Sequence, residues 1–540
     1  MGDHLQLAEA SVQRHRISCL SYRIVFTALT ASVCAFAQPG GVQVYEPIKT
    51  EHGMFHSQAK GTVVPGGHAQ AVFLGRIPFT GQEAPLDRPD AALQSFPLPY
   101  AGAIASTPGV LQGLGVGFPG FAVHYAPPDT NADVSATHIV QWVNVDYAVY
   151  NRTSSNWSGP FAGNTPWAGF GGGCETNNDG DPIIKYDRVN NRWVFTQFSV
   201  STKPYLQCFA ISAPGDPTTM AVRFAYSFGT RDFPDYPKMG IWPSGYFLSF
   251  NIFRNGFFFS GPRACAVDSA IALSGGKPKM ICAQLSSSYG SLLPADVDGP
   301  TTPPSGSPEY FVAYGSNSLQ VWKYTPNFAA STATVTGPTT VAVTSFSRAC
   351  SGGACIPQPG TNQKLDSLAD RLMYRAAYRK RGRVESIMLN HSVTPGNGAA
   401  SGIRWYEVRV ARSPDSTGSF SVSQLGTYSP DANSRWMGSI AMNGAGAIAV
   451  GYSVSSTSVK PSIRFTGRCP ADGAGLLQTE IPAVTGTGSQ LPSLNRWGDY
   501  SSMVVDPKDD STFWFTTEYL LNDGTFNWST AIVPITFSCP

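Results

Sequence analysis

Five stretches of this chain follow one plan: a charged residue opens a short apolar strand, a tight turn follows, and a second apolar strand returns. They are Asp181-PIIKYD-RVNN-RWVFTQF, Asp235-YPKMGIW-PSG-YFLSFNI, Asp370-RLMYRAAYR-KRGR-VESIMLNHS, Arg435-WMGSIAM-NGAG-AIAVGYS and Arg496-WGDYSSMVVD-PKDD-STFWFTT. The last three openings lie about 60 to 65 residues apart, and the interval from Asp235 to Asp370 spans about two such units. Hairpins recurring at a period of tens of residues mark a radial repeat fold. Each unit alone is a small sheet with two apolar faces and needs neighbours on both sides. Ring closure supplies those neighbours and removes most exposed edges.

Composition agrees with that architecture. The 540 residues are only 13% charged, and the 55 glycines and 42 prolines make roughly 18% of the chain, above the usual ~12%. Many short strands joined by Gly/Pro turns give such a profile. No long amphipathic helical run follows the N-terminus, and the best helical candidates are short, such as the tract from Asp87 to Ser95. Clear alternation begins with HIVQWVNVDYAVYNRT at His138, and units open near residues 138, 181, 235, 305, 366, 431 and 496. The stretches 286–308, 324–345 and 470–490 read as outer-strand insertions or surface loops. The expectation is an all-β protein: a seven-bladed β-propeller over 136–540, preceded by an irregular Gly/Pro/Ala-rich extension over 38–135. Trp193, Trp242, Trp436, Trp497 and Trp514 would fill the spaces between sheets, with stacking on sugar rings as the functional alternative.

Arg14, Arg16 and Arg23 precede an apolar run from Ile24 that ends in Ala35-Phe36-Ala37. That pattern is a signal peptide over 1–37 with cleavage near Ala37, which implies a secreted, periplasmic or surface location. No other stretch is long and apolar enough to span a bilayer. Cys19 and Cys34 leave with the signal, so eight of the ten cysteines remain. An even count in an exported chain argues for disulfides, and proximity favours Cys174–Cys208, Cys265–Cys282, Cys350–Cys355 and Cys469–Cys539. The formal charge is +2, with no basic run and no basic–aromatic stripe. Nucleic acid is therefore not an expected partner, and a monomer is expected.

The segments NDGDPIIKYDRVNNRW, DYPKMGIWPSGYFLSFN, LDSLADRLMYR, RWYEVR, RWMGSIAM and RWGDYSSMVVDPKDDSTFW resemble those of a family of uncharacterised exported bacterial proteins. That family is similar to the sialidase/BNR-type seven-bladed propellers. The resemblance covers roughly Asp146 to Cys539 and implies fold and export; it implies no activity.

In propellers the residues before the innermost strand lie near one mouth of the central channel. That would gather Asp181, Asp235, Lys238, Asp370, Arg371, Arg435, Arg496 and Asp499 into one ring, as a site for a polar or acidic ligand or as ionic glue between sheets. Arg371, Arg435 and Arg496 invite comparison with the sialidase arginine triad, which grips a carboxylate by forked hydrogen bonds. Tyr406-Glu407 and Tyr500 with Asp499 offer matching residue types for the nucleophile. Two departures weigh against it. Asp509 to Trp514 keeps only the Asp-to-Trp spacing of the Asp-box, and Gly75-Arg76-Ile77-Pro78 sits in the N-terminal extension. The oxygen-rich turns around Asp179-Gly180-Asp181 and Asp296-Val297-Asp298 are candidates for Ca²⁺, although such turns usually lack metal. His391, inside a strong strand pattern, reads as a hydrogen-bonded interior histidine. No complete catalytic set is present. The favoured expectation is an exported binding or scaffold protein that uses the channel mouth, with an acidic glycan or a protein as ligand. The alternative is a sialidase-like hydrolase or polysaccharide lyase acting on acidic glycans.

Overall fold

Antiparallel meanders follow one another along the chain. The first runs through Asn131–Val134, His138–Val143, Asp146–Asn151 and Asn156–Ala162. The second spans Ile183–Asp187 to Asp216–Gly229, and the third Asp232–Trp242 to Met280–Gln284. The fourth spans Leu293–Asp298 to Thr332–Ala342, and the fifth Ala376–Arg381 to Ser419–Tyr428. The sixth spans Ser434–Met442 to Ile481–Val484, and the seventh opens at Ser502–Val505 and reaches Trp528–Phe537. This computed structural model describes residues 41–56, 83, 88–99, 104–106, 109–123, 125–411 and 418–539. The expected signal peptide, 1–37, and the Gly75–Pro78 motif lie outside the described residues.

Each opening strand lies against the opening strand or first hairpin of the next meander, and the seventh lies against the first. A strand at the inner edge of its sheet leaves backbone groups unpaired, and short polar side chains of the neighbour satisfy them. The Asn131 and Asp133 carboxamide and carboxylate oxygens accept from Ile184 and Tyr186 N–H, each at 2.9 Å. Asp181 accepts from Tyr236 N–H at 3.0 Å, and Asp296 from Ile241 N–H at 3.0 Å. The fourth and fifth openings pair directly, in parallel, over Ala295–Asp298. Ser439 donates to the Tyr374 carbonyl at 3.0 Å and accepts from Met503 N–H at 2.9 Å. Ser502 accepts from Ala132 N–H at 2.9 Å and donates to the Ala132 carbonyl at 3.1 Å, joining the last sheet to the first.

Large aromatics fill the spaces between sheets. Trp193 is buried among Trp142, Tyr147 and Phe195. Trp242 meets Tyr310 and Tyr378 at ring distances of 5.5 and 4.8 Å, and Trp436 meets Trp497 at 5.7 Å. Trp514 is only half-buried; its N–H donates to Asp506 and Arg152 covers its ring.

The stretch after residue 38 is more regular than its composition suggests. Val42–Tyr45 adds an edge strand to the third sheet, Lys49–His56 to the second, and Leu93–Gln94 to the fifth. Ile104–Ser106 and Leu111–Gly115 pair with the last strand of the seventh. Covering an exposed sheet edge gives these segments their order. Asp90 adds a buried ion pair with Arg404, at 2.6 Å to Oδ2. The helical candidate around residues 87–95 is instead, where described, a turn leading into Leu93–Gln94.

Two sheets begin earlier than the apolar pattern indicates. The first opens at Asn131, not at His138; the fourth opens at Leu293, inside the stretch read as a loop. Their sequences, NADV and LPADVD, lack a long apolar run because buried carboxylates, Asp133, Asp296 and Asp298, alternate with the core residues Val134, Leu293, Ala295 and Val297. Of the two readings of 324–345 and 470–490, the outer-strand one fits, for they contain the outer strands Thr332–Ala342 and Ile481–Val484.

All four cysteine pairs favoured by proximity are bonded: Cys174–Cys208, Cys265–Cys282, Cys350–Cys355 and Cys469–Cys539. Disulfides belong to an oxidising, extracellular environment. Among the described residues no helix is long and apolar enough to cross a membrane.

Candidate functional site

Charged side chains gather where the opening strands begin. Arg371 forks onto Asp370, with Nε–Oδ1 at 2.8 Å and Nη2–Oδ2 at 3.2 Å. Arg496 pairs with Asp499. Lys238 Nζ donates to the Pro237 carbonyl at 2.9 Å and sits 3.5 Å from the Tyr236 ring centre and 3.8 Å from that of Tyr500. The Arg371 guanidinium lies 4.3 Å from the same Tyr236 ring. Tyr236 donates its hydroxyl to the Asp499 carbonyl at 3.2 Å, and Tyr500 donates to the Pro182 carbonyl at 3.0 Å. Two tyrosines thus form a cation–π seat for one ammonium group.

Carboxylates outnumber cations around that seat. Asp129, Asp181 and Asp499 all act on Lys238, and Asp235 feels Asp181, Asp499, Arg371 and Lys238. Asp129, Asp181, Asp235, Asp370 and Asp499 thus face Lys238, Arg371 and Arg496, five carboxyls to three cations, with Arg371 acting on Asp235 and Arg496 on Asp129 and Asp181. Burial first, and the neighbouring carboxylates second, push Asp129 well above the usual carboxylate range. One oxygen of Asp129 accepts from Asn144 at 2.9 Å, while Oδ1 is buried with no partner among the described residues. Asp181 is raised mainly by burial. Burial and Asp181 push Asp235 up to about 8. Burial likewise pulls Lys238 down to about 8, against the opposing pull of Asp181, Asp129 and Asp499. The backbone contributes too: Asp129, Asp181 and Tyr236 have φ of 47°, 47° and 53°, a left-handed conformation that Asp tolerates and Tyr seldom adopts.

A folded-state value near 8 for Asp235 lies far above the ~3.9 of an unfolded aspartate. The folded state therefore binds more protons, and this group's contribution to stability is lost as pH rises from about 4 through 8. Asp235→Asn should consequently gain on the parent as pH increases, with a melting-temperature difference that grows from pH 5 to pH 9. Equal differences at both pH values would show that Asp235 ionises normally.

A second ionic layer lies beneath the tyrosines. Lys185 bridges Asp133 at 2.9 Å and Asp296 at 2.6 Å. Arg375 bridges Asp296 at 3.1 Å and also holds Asp298. Burial alone would lower the pKa of Lys185, but Asp133 and Asp296 overcome it and hold the ammonium charged. Tyr374 feels these groups and also meets the Tyr500 ring at 6.1 Å, linking the two layers.

Most of the expected ring residues come together, namely Asp181, Asp235, Lys238, Asp370, Arg371, Arg496 and Asp499. Arg435 does not join them. Its guanidinium forks onto Glu480 with two 2.8 Å bonds, adds Asp431 at 2.8 Å, and is fully buried. Arg371 and Arg496 precede their opening strands, whereas Arg435 lies inside its own, Ser434–Met442. The three arginines therefore form no triad, and each already grips a carboxylate. Tyr406 is buried beside His391, 2.9 Å from its Nε2, and Glu407 is held by Ser386, Gln424 and Arg409.

The four candidate calcium ligands do not converge either. Lys185 and Arg375 occupy Asp296 and Asp298, Asp179 accepts from the N–H groups of Val200 and Ser201, and Asp181 binds Tyr236 N–H. Among the described residues no group of three or more acidic, histidine or cysteine side chains could hold a metal ion. Cationic side chains stand where a divalent ion would bind.

Asp129 is the cluster member that the sequence reading omits. It stands two residues before Asn131, as Asp181 stands two before Ile183. That spacing was the available signal, hidden because the first opening strand is polar.

No protein-family model matches the chain, and no curated protein matches it in sequence. The resemblance to sialidase-type propellers therefore has no homologue behind it. Solved structures with a partly similar course include the extracellular domain of a putative hybrid two-component system from B. thetaiotaomicron (TM-score 0.32, 10% identity, 78% of this chain and 39% of that one). Others are the α-L-arabinofuranosidase Arb93A from Fusarium graminearum (0.32, 9%, 79% and 98%) and the exo-β-1,3-galactanase 1,3Gal43A from Clostridium thermocellum (0.28, 9%, 76% and 83%). Likeness at this level carries nothing about substrate or chemistry.

Proposed function

We propose that this chain is a seven-bladed β-propeller, exported and held together by disulfides, that binds a small ligand at one mouth of its axis without acting on it. The meanders, their contacts from opening to opening, and the Ser502–Ala132 bonds between last and first support the ring. The export signal pattern and the four disulfides support a secreted, periplasmic or surface location.

One observation carries the function: Asp129, Asp181 and Asp235 crowd near Lys238 in a cluster with more carboxyls than cations, so that carboxyls there retain protons that an arriving cation or hydrogen-bond donor can replace. Like charges in a recessed site raise one another's pKa and favour any ligand that brings positive charge or hydrogen-bond donors. The ligand is thus an amine or a polyhydroxyl compound, in place of the acidic ligand expected from the arginines. Calorimetric titration with glucosamine, spermidine, glucose and galacturonate tests this. Amine binding that falls at least ten-fold in Asp181→Asn supports the reading. Galacturonate binding that is lost in Arg496→Ala, with no amine binding, overturns it.

A second reading rests on Asp235. A carboxyl that keeps its proton near neutral pH is suited to donate it to a leaving group. Turnover of glycosides that disappears in Asp235→Asn would favour that reading.

A further inference from the structure

The hairpin tips at the far ends of the opening strands form a separate cleft of about 490 Å³, lined by Arg379, Lys380, Arg381, Arg409, Thr301 and Asp510 among others. Its volume lies within the range of small-molecule sites, ~300–1,000 Å³. It is not part of the mouth described above. Asp370 and Arg371 precede Ala376–Arg381, whereas the cleft is built at that strand's other end. Six extended residues separate the two by roughly 20 Å.

In this cleft, unlike the mouth, cations outnumber carboxyls. Arg379 forks onto Asp510, with Nη1–Oδ1 at 2.7 Å, and Arg409 pairs with Glu407 at 3.1 Å. Arg381 donates to two backbone carbonyls, Gly444 at 3.1 Å and Ala445 at 2.7 Å, which hold it in place without cancelling its charge. Among the described residues neither Lys380 nor Arg381 has an acidic partner within ion-pair distance. Two positive charges therefore remain in a concave site.

The surrounding loops are shaped around these arginines. A side chain at Gly299 would collide with the Arg379 guanidinium, and one at Gly446 with that of Arg381. Both glycines also have positive φ, 75° and 91°, so neither position accepts another residue easily. The arginines come from the fifth sheet, Asp510 from the seventh, the two carbonyls from the sixth, and Thr301 from the segment after the fourth opening strand. A positively charged concavity assembled from several sheets and held by neutral acceptors is suited to an oxyanion, which guanidinium groups bind through two N–H donors.

We propose that this cleft binds the oxyanion of a small ligand, a carboxylate, sulfate or phosphate, with Lys380 and Arg381 as the attracting charges and Arg409 at the rim. Binding would be independent of the mouth and would weaken as ionic strength rises.

The test is titration of the whole protein with galacturonate, inorganic sulfate and inorganic phosphate at low salt. The variants are Lys380→Glu and Arg409→Glu, both on side chains reached by solvent. Binding of at least one anion, weakened ten-fold or more by Lys380→Glu and unchanged by Asp181→Asn, supports the proposal; which of the three binds identifies the oxyanion. Absence of binding by all three at millimolar concentration overturns it, as does binding that ignores both charge reversals. Galacturonate bound here and not through Arg496 leaves the reading of the mouth standing, so the two proposals fail separately.

Discussion

Lys185→Met should lower the stability of the protein by about 3 to 5 kcal/mol, the cost of breaking a buried ion pair by removing one partner. Lys185 is 3% exposed and neutralises both Asp133 and Asp296. Without it, Asp296 keeps Arg375, whereas Asp133 keeps only the N–H groups of Val134 and Tyr186. The uncompensated charge is therefore on Asp133, and Asp133→Asn in the Lys185→Met background should recover part of the loss. Removing the ammonium leaves that buried carboxylate without a counter-charge. The single variant should then be closest to the parent at low pH and fall behind as pH rises. Equilibrium urea unfolding at pH 4 and pH 8, followed by tryptophan fluorescence, measures both effects. A loss below about 1 kcal/mol at pH 8 would mean that the lower ionic layer contributes little.

Replacing Cys469 and Cys539 together by serine should cost about 4 kcal/mol, because that bond closes a long loop, with 70 residues between its ends. The comparison is the Cys350–Cys355 bond, with a separation of 5, for which the same chain-entropy argument gives about 2 kcal/mol. The long bond ties the end of the chain to the sixth sheet, so its loss also frees the last strand, Trp528–Phe537, to peel away. The two double variants, unfolded in urea beside the parent, should differ by roughly a factor of two in lost stability. Equal losses would show that loop length is not what these bonds act through.

What could be read from the sequence followed apolar pattern. Sheets whose first two strands alternate strongly, such as Arg435-WMGSIAM-NGAG-AIAVGYS, declare themselves. The strands Asn131–Val134 and Leu293–Asp298 do not, since Asp133, Asp296 and Asp298 interrupt their apolar residues to pair with buried cations of neighbouring strands. The same fact hid Asp129 and made Asp296 and Asp298 look like metal ligands. Arg435 misled in the opposite direction. It opens a recognisable unit, but Glu480 and Asp431 beside it decide where its charge goes. Cysteine pairing was legible because hairpins bring sequence neighbours together, as the directly opposed Cys265 and Cys282 illustrate. Nothing local in the sequence of Val42–Tyr45 or Lys49–His56 names its distant partner.

Those early edge strands bear on how the molecule can come into being. Strands between residues 42 and 106 find their places only on sheets made later: Val42 opposite Ala283, Leu93 beside Thr427, Ile104 opposite Phe537. Lys49–His56 can dock once the second sheet exists, whereas Ile104–Ser106 and Leu111–Gly115 must wait, undocked, until Trp528–Phe537 has been delivered. Domains usually assemble in the order of synthesis; here the sheets form first, and strands that precede them in the sequence close their edges afterwards.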